Sequence, residues 1–196
     1  MPGQKATEAA RREQILNAAH AVAVRRGIDG LTVRAVATRA HLSHGLVLFH
    51  FKRKDQLGLA LLDRVLASTV SLRVPDEIAS LPRPKDRLQA LLRHEIKRFA
   101  KEPRRIRLLL EYWARGAHNA VIREKISGGL SRYRSVFRNI VGESSDAKLD
   151  GSGPAAAAGV AAAAVSLILG FPVQTMIDPD QFDIEEYVAS VQKLLA

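Results

Sequence analysis

Residues 32–57 read TVRAVATRAHLSHGLVLFHFKRKDQL, and the parsing of this stretch decides the fold. Val33, Val36, Ala37 and Ala40 recur at the three- and four-residue spacing of one apolar helix face, with Thr32 ahead of them as an N-cap. No Glu or Gln stands three residues after Thr32, so this is a cap without a capping box. His41-Leu42-Ser43 reads as a tight connection, and Ser43 can cap a second short helix running to about Phe51. Two short helices joined by three or four residues form a helix-turn-helix unit. Lys54-Asp55 then opens a longer helix through Leu57, Leu61, Val65, Leu66 and Thr69.

Upstream of this stretch, Ile15, Ala18, Ala19 and Val22 mark a helix from Glu8 to Arg26, and Gly27 follows as a helix-ending residue. Downstream, Pro75, Pro82, Pro84 and Pro103 punctuate the chain. Helices are predicted over 85–101, 103–116, 118–141, 154–177 and 184–195. Gly128-Gly129 is expected to be a soft spot in the third of these, 142–153 a Gly/Ser-rich flexible loop, and Asp178-Pro179-Asp180 a turn. No strand-like alternation and no internal repeat is present. The predicted fold is all-α in two domains. Residues 1–57 form a three-helix helix-turn-helix domain, and 58–196 a helical bundle.

The 196 residues carry 30 Lys+Arg against 20 Asp+Glu, a net +10 placed unevenly. Residues 1–57 hold a net +6, residues 58–141 a net +10, and residues 142–196 a net −6. A basic front and an acidic tail suggest a polyanionic partner at one end. Charge alone leaves nucleic acid, an anionic membrane and plain solubility open. With no cysteine, disulfides, thiolate metal sites and cysteine nucleophiles are excluded, which suits a reducing cytoplasm. Residues 1–13 are polar and charged, so no signal peptide is expected there.

With these features assembled, the segment resembles the DNA-binding domain of the tetracycline-repressor (TetR) family of bacterial regulators. The resemblance rests on Gly27, Leu31-Thr32, Val36-Ala37, Leu42-Ser43, Gly45, His50-Phe51, Lys54 and Leu57. It is specific over about residues 10–60, and beyond them is one of layout, a nine-helix chain with a C-terminal Asp-Pro-Asp turn. It implies that His44, Leu46, Leu48, Phe49 and His50 face the major groove, while Val47 and Phe51 point inward against Val36 and Ile15. Gly45 would let the backbone approach DNA closely. Thr32 and Ser43 would offer hydroxyl and N–H groups to phosphates, Lys54 would contact a phosphate, and Arg34 would reach a base edge. Three positions depart from the pattern: Leu48 replaces a usual tyrosine, Leu46 a smaller residue, and His41 a usual turn glycine. His41 must then take a left-handed backbone, or the turn is altered.

For residues 58–196 the same resemblance implies an effector cavity and a dimer interface. Candidate cavity residues are Leu62, Leu66, His94, Phe99, Leu109, Tyr112, Trp113 and Phe137, each of which could equally be ordinary core. His94, Tyr112 and Trp113 combine an apolar body with a polar tip, the mixture a small-molecule site needs. Residues 154–173 carry no charge, but alanine and glycine dominate them, which favours a helix packed on a symmetry mate over a membrane span. The basic run 83–107 reads as a solvated helix face, with part of it facing the DNA backbone as the alternative.

Histidines 20, 41, 44, 50, 94 and 118 lack metal-ligand spacing, and no phosphate-binding glycine loop or nucleophile motif appears. No catalytic residue, metal or cofactor is therefore expected, and no enzymatic activity. The reading is a cytoplasmic homodimer that binds a double-stranded DNA operator and answers to a small-molecule effector. The rival reading is a helical small-molecule or lipid sensor whose basic end meets an anionic membrane.

Overall fold

A computed structural model describes residues 7–70, 73–143 and 154–194, and every regular element among them is helical. In chain order these are α1 (Glu8–Arg26), α2 (Val33–Ala40), α3 (His44–Phe51), α4 (Lys54–Thr69), α5 (Asp76–Ala79), α6 (Pro84–Ala100), α7 (Pro103–Gly116), α8 (Ala120–Gly142), α9 (Pro154–Ile177), a 3₁₀ turn (Pro179–Gln181) and α10 (Ile184–Leu194). The one-turn helix α5 was not foreseen. Most of the expected flexible loop, 144–153, lies outside the described residues. Gly128-Gly129 does not interrupt α8. Each mid-helix glycine costs about 1 kcal/mol, and the buried Ile126, Tyr133 and Phe137 on either side offset that cost.

Two compact units emerge, and the division falls inside α7 and α8. The first comprises residues up to 69 together with 107–126. Here α1 packs on α2 and α4, and α3 on α2 and α4. Ile15, Ala19 and Val22 of α1 meet a core that includes Val36, Ala37, Ala40, Val47 and Phe51, all buried. This unit extends past the expected 1–57 span because polar anchors tie residues 107–126 into it. Tyr112 donates its hydroxyl to the Gly58 carbonyl at 2.8 Å, and Lys125 pairs with Asp63 at 2.7 Å. Glu111 accepts from the Ile28 amide at 2.7 Å. Gly27 lies beside that carboxylate with φ +70°, and a Cβ there would come within 3.0 Å of Glu111 Oε2, so both backbone and space call for glycine.

In the second unit, residues 70–106 and 127–196, α6 packs on α9 and α10. Leu91, Leu92, Ile96 and Phe99 of α6 are buried, as are Ala161, Ala164, Val165 and Ile168 of α9 and Val188 and Val191 of α10. Residues 155–177 are long and apolar enough to cross a membrane, with mean hydropathy 2.0. One face of that helix is nonetheless core of the second unit. The other face, Ala155, Ala156, Ala158, Gly159, Ala162, Ala163 and Ser166, is exposed and made of small residues.

Candidate nucleic-acid interface

The helix-turn-helix forms as its local chemistry dictates. Thr32 Oγ1 accepts from the Ala35 amide at 3.1 Å and caps α2, and Ser43 Oγ accepts from Leu46 at 3.1 Å and caps α3. Each cap uses only an oxygen lone pair, so both exposed hydroxyls keep a proton to donate. Between the helices His41 takes the left-handed conformation, φ 54° and ψ 44°, which keeps the turn tight without a glycine. The Leu42 amide donates to the Ala37 carbonyl at 2.9 Å and closes the end of α2. A second residue of positive φ, Lys52 (φ 48°), ends α3, and no sequence signal announced it.

Val47 and Phe51 are buried, and this inward anchor sets the outward face of α3. His44 and Gly45 are exposed, Leu46 and Leu48 half-buried, and Phe49 72% exposed. Gly45 has nothing within 4 Å of a Cβ position, so a close approach by DNA is open there. His50 is half-buried, its ring edge-on to Phe49 at 5.2 Å. Its Nδ1 is buried with no hydrogen-bond partner, which leaves Nε2 as the nitrogen able to reach outward. Thr32, Arg34, Ser43 and Lys54 are all exposed around this face.

Two positioning residues escaped sequence reasoning. Arg12 donates to the His50 carbonyl at 2.7 Å with its guanidinium 4.4 Å from the centre of the Phe51 ring, and Gln14 donates to the Ala40 carbonyl at 2.8 Å. They lock α1 to the last turns of α3 and α2. As polar residues on an amphipathic helix they look like solvated positions, so only the tertiary contact reveals them.

Charge compensation in the first unit bypasses this face. Glu13 pairs with Arg64 at 2.7 Å, and Asp29 pairs with Arg115. Among the described residues, Arg25, Arg26, Arg34, Arg39, Lys52, Arg53 and Lys54 have no carboxylate within bonding distance.

The expected effector residues divide between the units. Leu62, Leu66, Leu109 and Tyr112 are buried in the first, with Trp113 half-buried beside them, its indole Nε1 buried without an acceptor. His94, Phe99 and Phe137 lie in the second, where Phe99 and Phe137 are buried and His94 is exposed. What the sequence reading missed there is Glu95. Placed within a solvated basic run by its sequence, it is in fact 1% exposed. Its spacing from Leu88, Leu91, Leu92 and Phe99 puts it on the apolar stripe of α6. Tyr133 donates to Glu95 Oε2 at 2.6 Å, and Arg98 donates Nε to Oε1 at 2.9 Å and Nη2 to Oε2 at 2.5 Å. Phe137 stands edge-on to Tyr133 at 5.6 Å, and Phe99 tilts against it at 6.4 Å. Burial, then the Glu95 charge, pushes the Tyr133 hydroxyl pKa well above its ordinary value, so it stays a donor. Burial works against the Arg98 charge, but Glu95 outweighs it and the guanidinium pKa rises.

Comparison with known proteins places this geometry. Residues 15–61 match the model of bacterial regulatory proteins of the tetR family, and residues 84–196 match that of the BetI-type transcriptional repressor C-terminal part. An uncharacterised HTH-type transcriptional regulator from the dhlA 5′ region of Xanthobacter autotrophicus is 31% identical over 189 residues, 93% of this chain and 88% of that protein. A transcriptional regulator from Pseudomonas aeruginosa PAO1 shares the fold with TM-score 0.79 at 20% identity, over 97% of this chain and 90% of that one. A regulator from Saccharomonospora viridis, solved in complex with choline, does so with TM-score 0.75 at 17% identity, over 95% and 96%.

Proposed function

Since the chain belongs to the TetR family of bacterial transcriptional regulators, with a BetI-type C-terminal part and no enzymatic role, we propose that it binds a pseudo-palindromic operator as a dimer and leaves it when a small molecule binds. The observation that carries this reading is the outward face of α3, set by buried Val47 and Phe51 and ringed by cations without acidic partners. In the groove, Leu46, Leu48 and Phe49 meet thymine methyls, while His44, His50 Nε2 and Arg34 supply the polar readout. Thr32, Ser43, Gly45 and Lys54 hold the phosphate backbone. Dimerisation uses the small-residue face of α9, where alanine and glycine let helix backbones approach closely. Two heads then enter successive major grooves about 34–36 Å apart. The protein works in the cytoplasm, where the operator is.

For the effector we propose an organic cation held in the second unit. What supports it is Tyr133, which donates to the Glu95 carboxylate and packs its ring against Phe99 and Phe137, since aromatic faces and a carboxylate attract such ions. The choline complex of the Saccharomonospora protein supports it too. A bound cation would take over charge that Arg98 now compensates, and the ligand need only favour a head spacing that misfits the grooves. The test is selection of bound genomic fragments, followed by titration of the selected duplex with and without choline. Sequence-specific binding by a dimer, weakened by choline, is the expected result. Binding without sequence preference overturns the operator reading. Choline binding that leaves operator affinity unchanged overturns induction.

A further inference from the structure

The C-terminal part of α1 and the α2 segment enclose an open cleft of about 470 Å³ in the first unit. Arg25 and Arg26 from the last turn of α1 form one wall, and Thr32, Arg34, Thr38 and Arg39 of α2 the other, above a floor of small apolar side chains. All six of these side chains are exposed. None of the four guanidiniums has an acidic partner among the described residues, and Asp29, three residues after Arg26, pairs with Arg115 instead. Four like charges around one concavity repel one another, and the repulsion is relieved when an anion enters.

We infer that this cleft seats backbone phosphates of the duplex flanking the operator half-site, with Arg25 and Arg26 as contacts that extend the footprint beyond the reading helix. The inference rests on the operator-binding reading above. Its partner follows from continuity: Thr32 and Arg34 belong both to the cleft and to the proposed reading surface, so a duplex docked on α3 carries its backbone toward Arg25 and Arg26. Guanidinium forks match phosphate oxygens, and the two threonine hydroxyls add donors of suitable reach.

The experiment compares the full-length protein with the double variant Arg25→Ala/Arg26→Ala on two duplexes, the selected core operator and the same core extended by about one helical turn (~10 bp) at each end. Wild type should gain affinity on the extended duplex, and the double variant should lose that gain. The slope of log K against log salt on the extended duplex should fall by roughly 3.6 for the dimer, about 0.9 for each of the two phosphates lost per protomer. On the core duplex the two proteins should agree, and Arg25→Lys/Arg26→Lys should restore the slope. An unchanged thermal midpoint in the double variant shows that the effect is not unfolding. Equal slopes for wild type and variant on the extended duplex overturn the inference. So does pyrophosphate stabilising wild type alone while the flanks add nothing, which would make the cleft a small-anion site. Should the selection return no preferred sequence, the operator reading fails by itself, and the same slopes on random duplex still decide whether the cleft holds DNA.

Discussion

Along α6 and the start of α7, most of the basic side chains are met by acids. Arg83 faces Asp86, Arg87 faces Glu143, Arg93 and Lys97 face Glu185, Arg98 faces Glu95, Arg105 faces Glu102, and Arg107 faces Glu111. Around α2 and α3 the cations meet no acid, and the acids Glu13 and Asp29 are drawn away by Arg64 and Arg115. Residues 58–141 carry the larger net positive charge, and some of their cations, such as Lys101, Arg104, Arg132, Arg134 and Arg138, also meet no carboxylate among the described residues. Ion pairs are nonetheless dense along α6, and none reaches α2 or α3. The difference teaches that net charge alone does not tell which cations are neutralised by a neighbour, and that the pairing does. The cations of α2 and α3 keep no acidic partner, while most of those along α6 are neutralised by acids.

This contrast can be broken or sharpened by substitution. The largest effect is expected at Arg98→Ala, which strands the Glu95 carboxylate in the core and should cost about 3 kcal/mol of stability in a denaturant titration. Retained stability would mean that Glu95 relaxes to solvent. Next comes Arg34→Ala, expected to weaken operator binding by about 1–3 kcal/mol and relax preference at one base position, with the melting curve unchanged. A loss shared equally by all sequences would make Arg34 a phosphate contact instead. Lys54→Ala should weaken every duplex alike and lower the salt slope by about one per protomer. The smallest change is expected from Lys97→Ala, which breaks a 2.6 Å surface pair with Glu185 and should cost under about 1 kcal/mol while leaving DNA affinity alone. A marked DNA effect from Lys97→Ala would erase the distinction between the two regions.

Much of the site was legible beforehand because it is built from short-range rules. Thr32 and Ser43 as caps follow from hydroxyl chemistry within a few residues, while the inward turn of Val47 and Phe51 and the outward His44, Gly45 and Phe49 were what the family resemblance implied. His41 was narrowed to two alternatives, and the left-handed backbone is the one adopted. The roles of Arg12 and Gln14 were hidden, since each bonds a carbonyl more than twenty residues away. Glu95 was misread for a related reason. A carboxylate on an apolar stripe looks like a surface residue until Tyr133, thirty-eight positions on, is seen to donate to it.

From the sequence alone came the helix boundaries, the helix-turn-helix and the family resemblance, because caps, prolines and apolar spacing act over one or two turns of chain. Only the tertiary structure decided which charges are spent and which remain. It decided too that residues 107–126 pack with the head and that α1 and α2 enclose an arginine-lined cleft. Those outcomes depend on side chains distant in sequence coming within a few ångströms, where Coulomb and hydrogen-bond energies become large enough to choose partners.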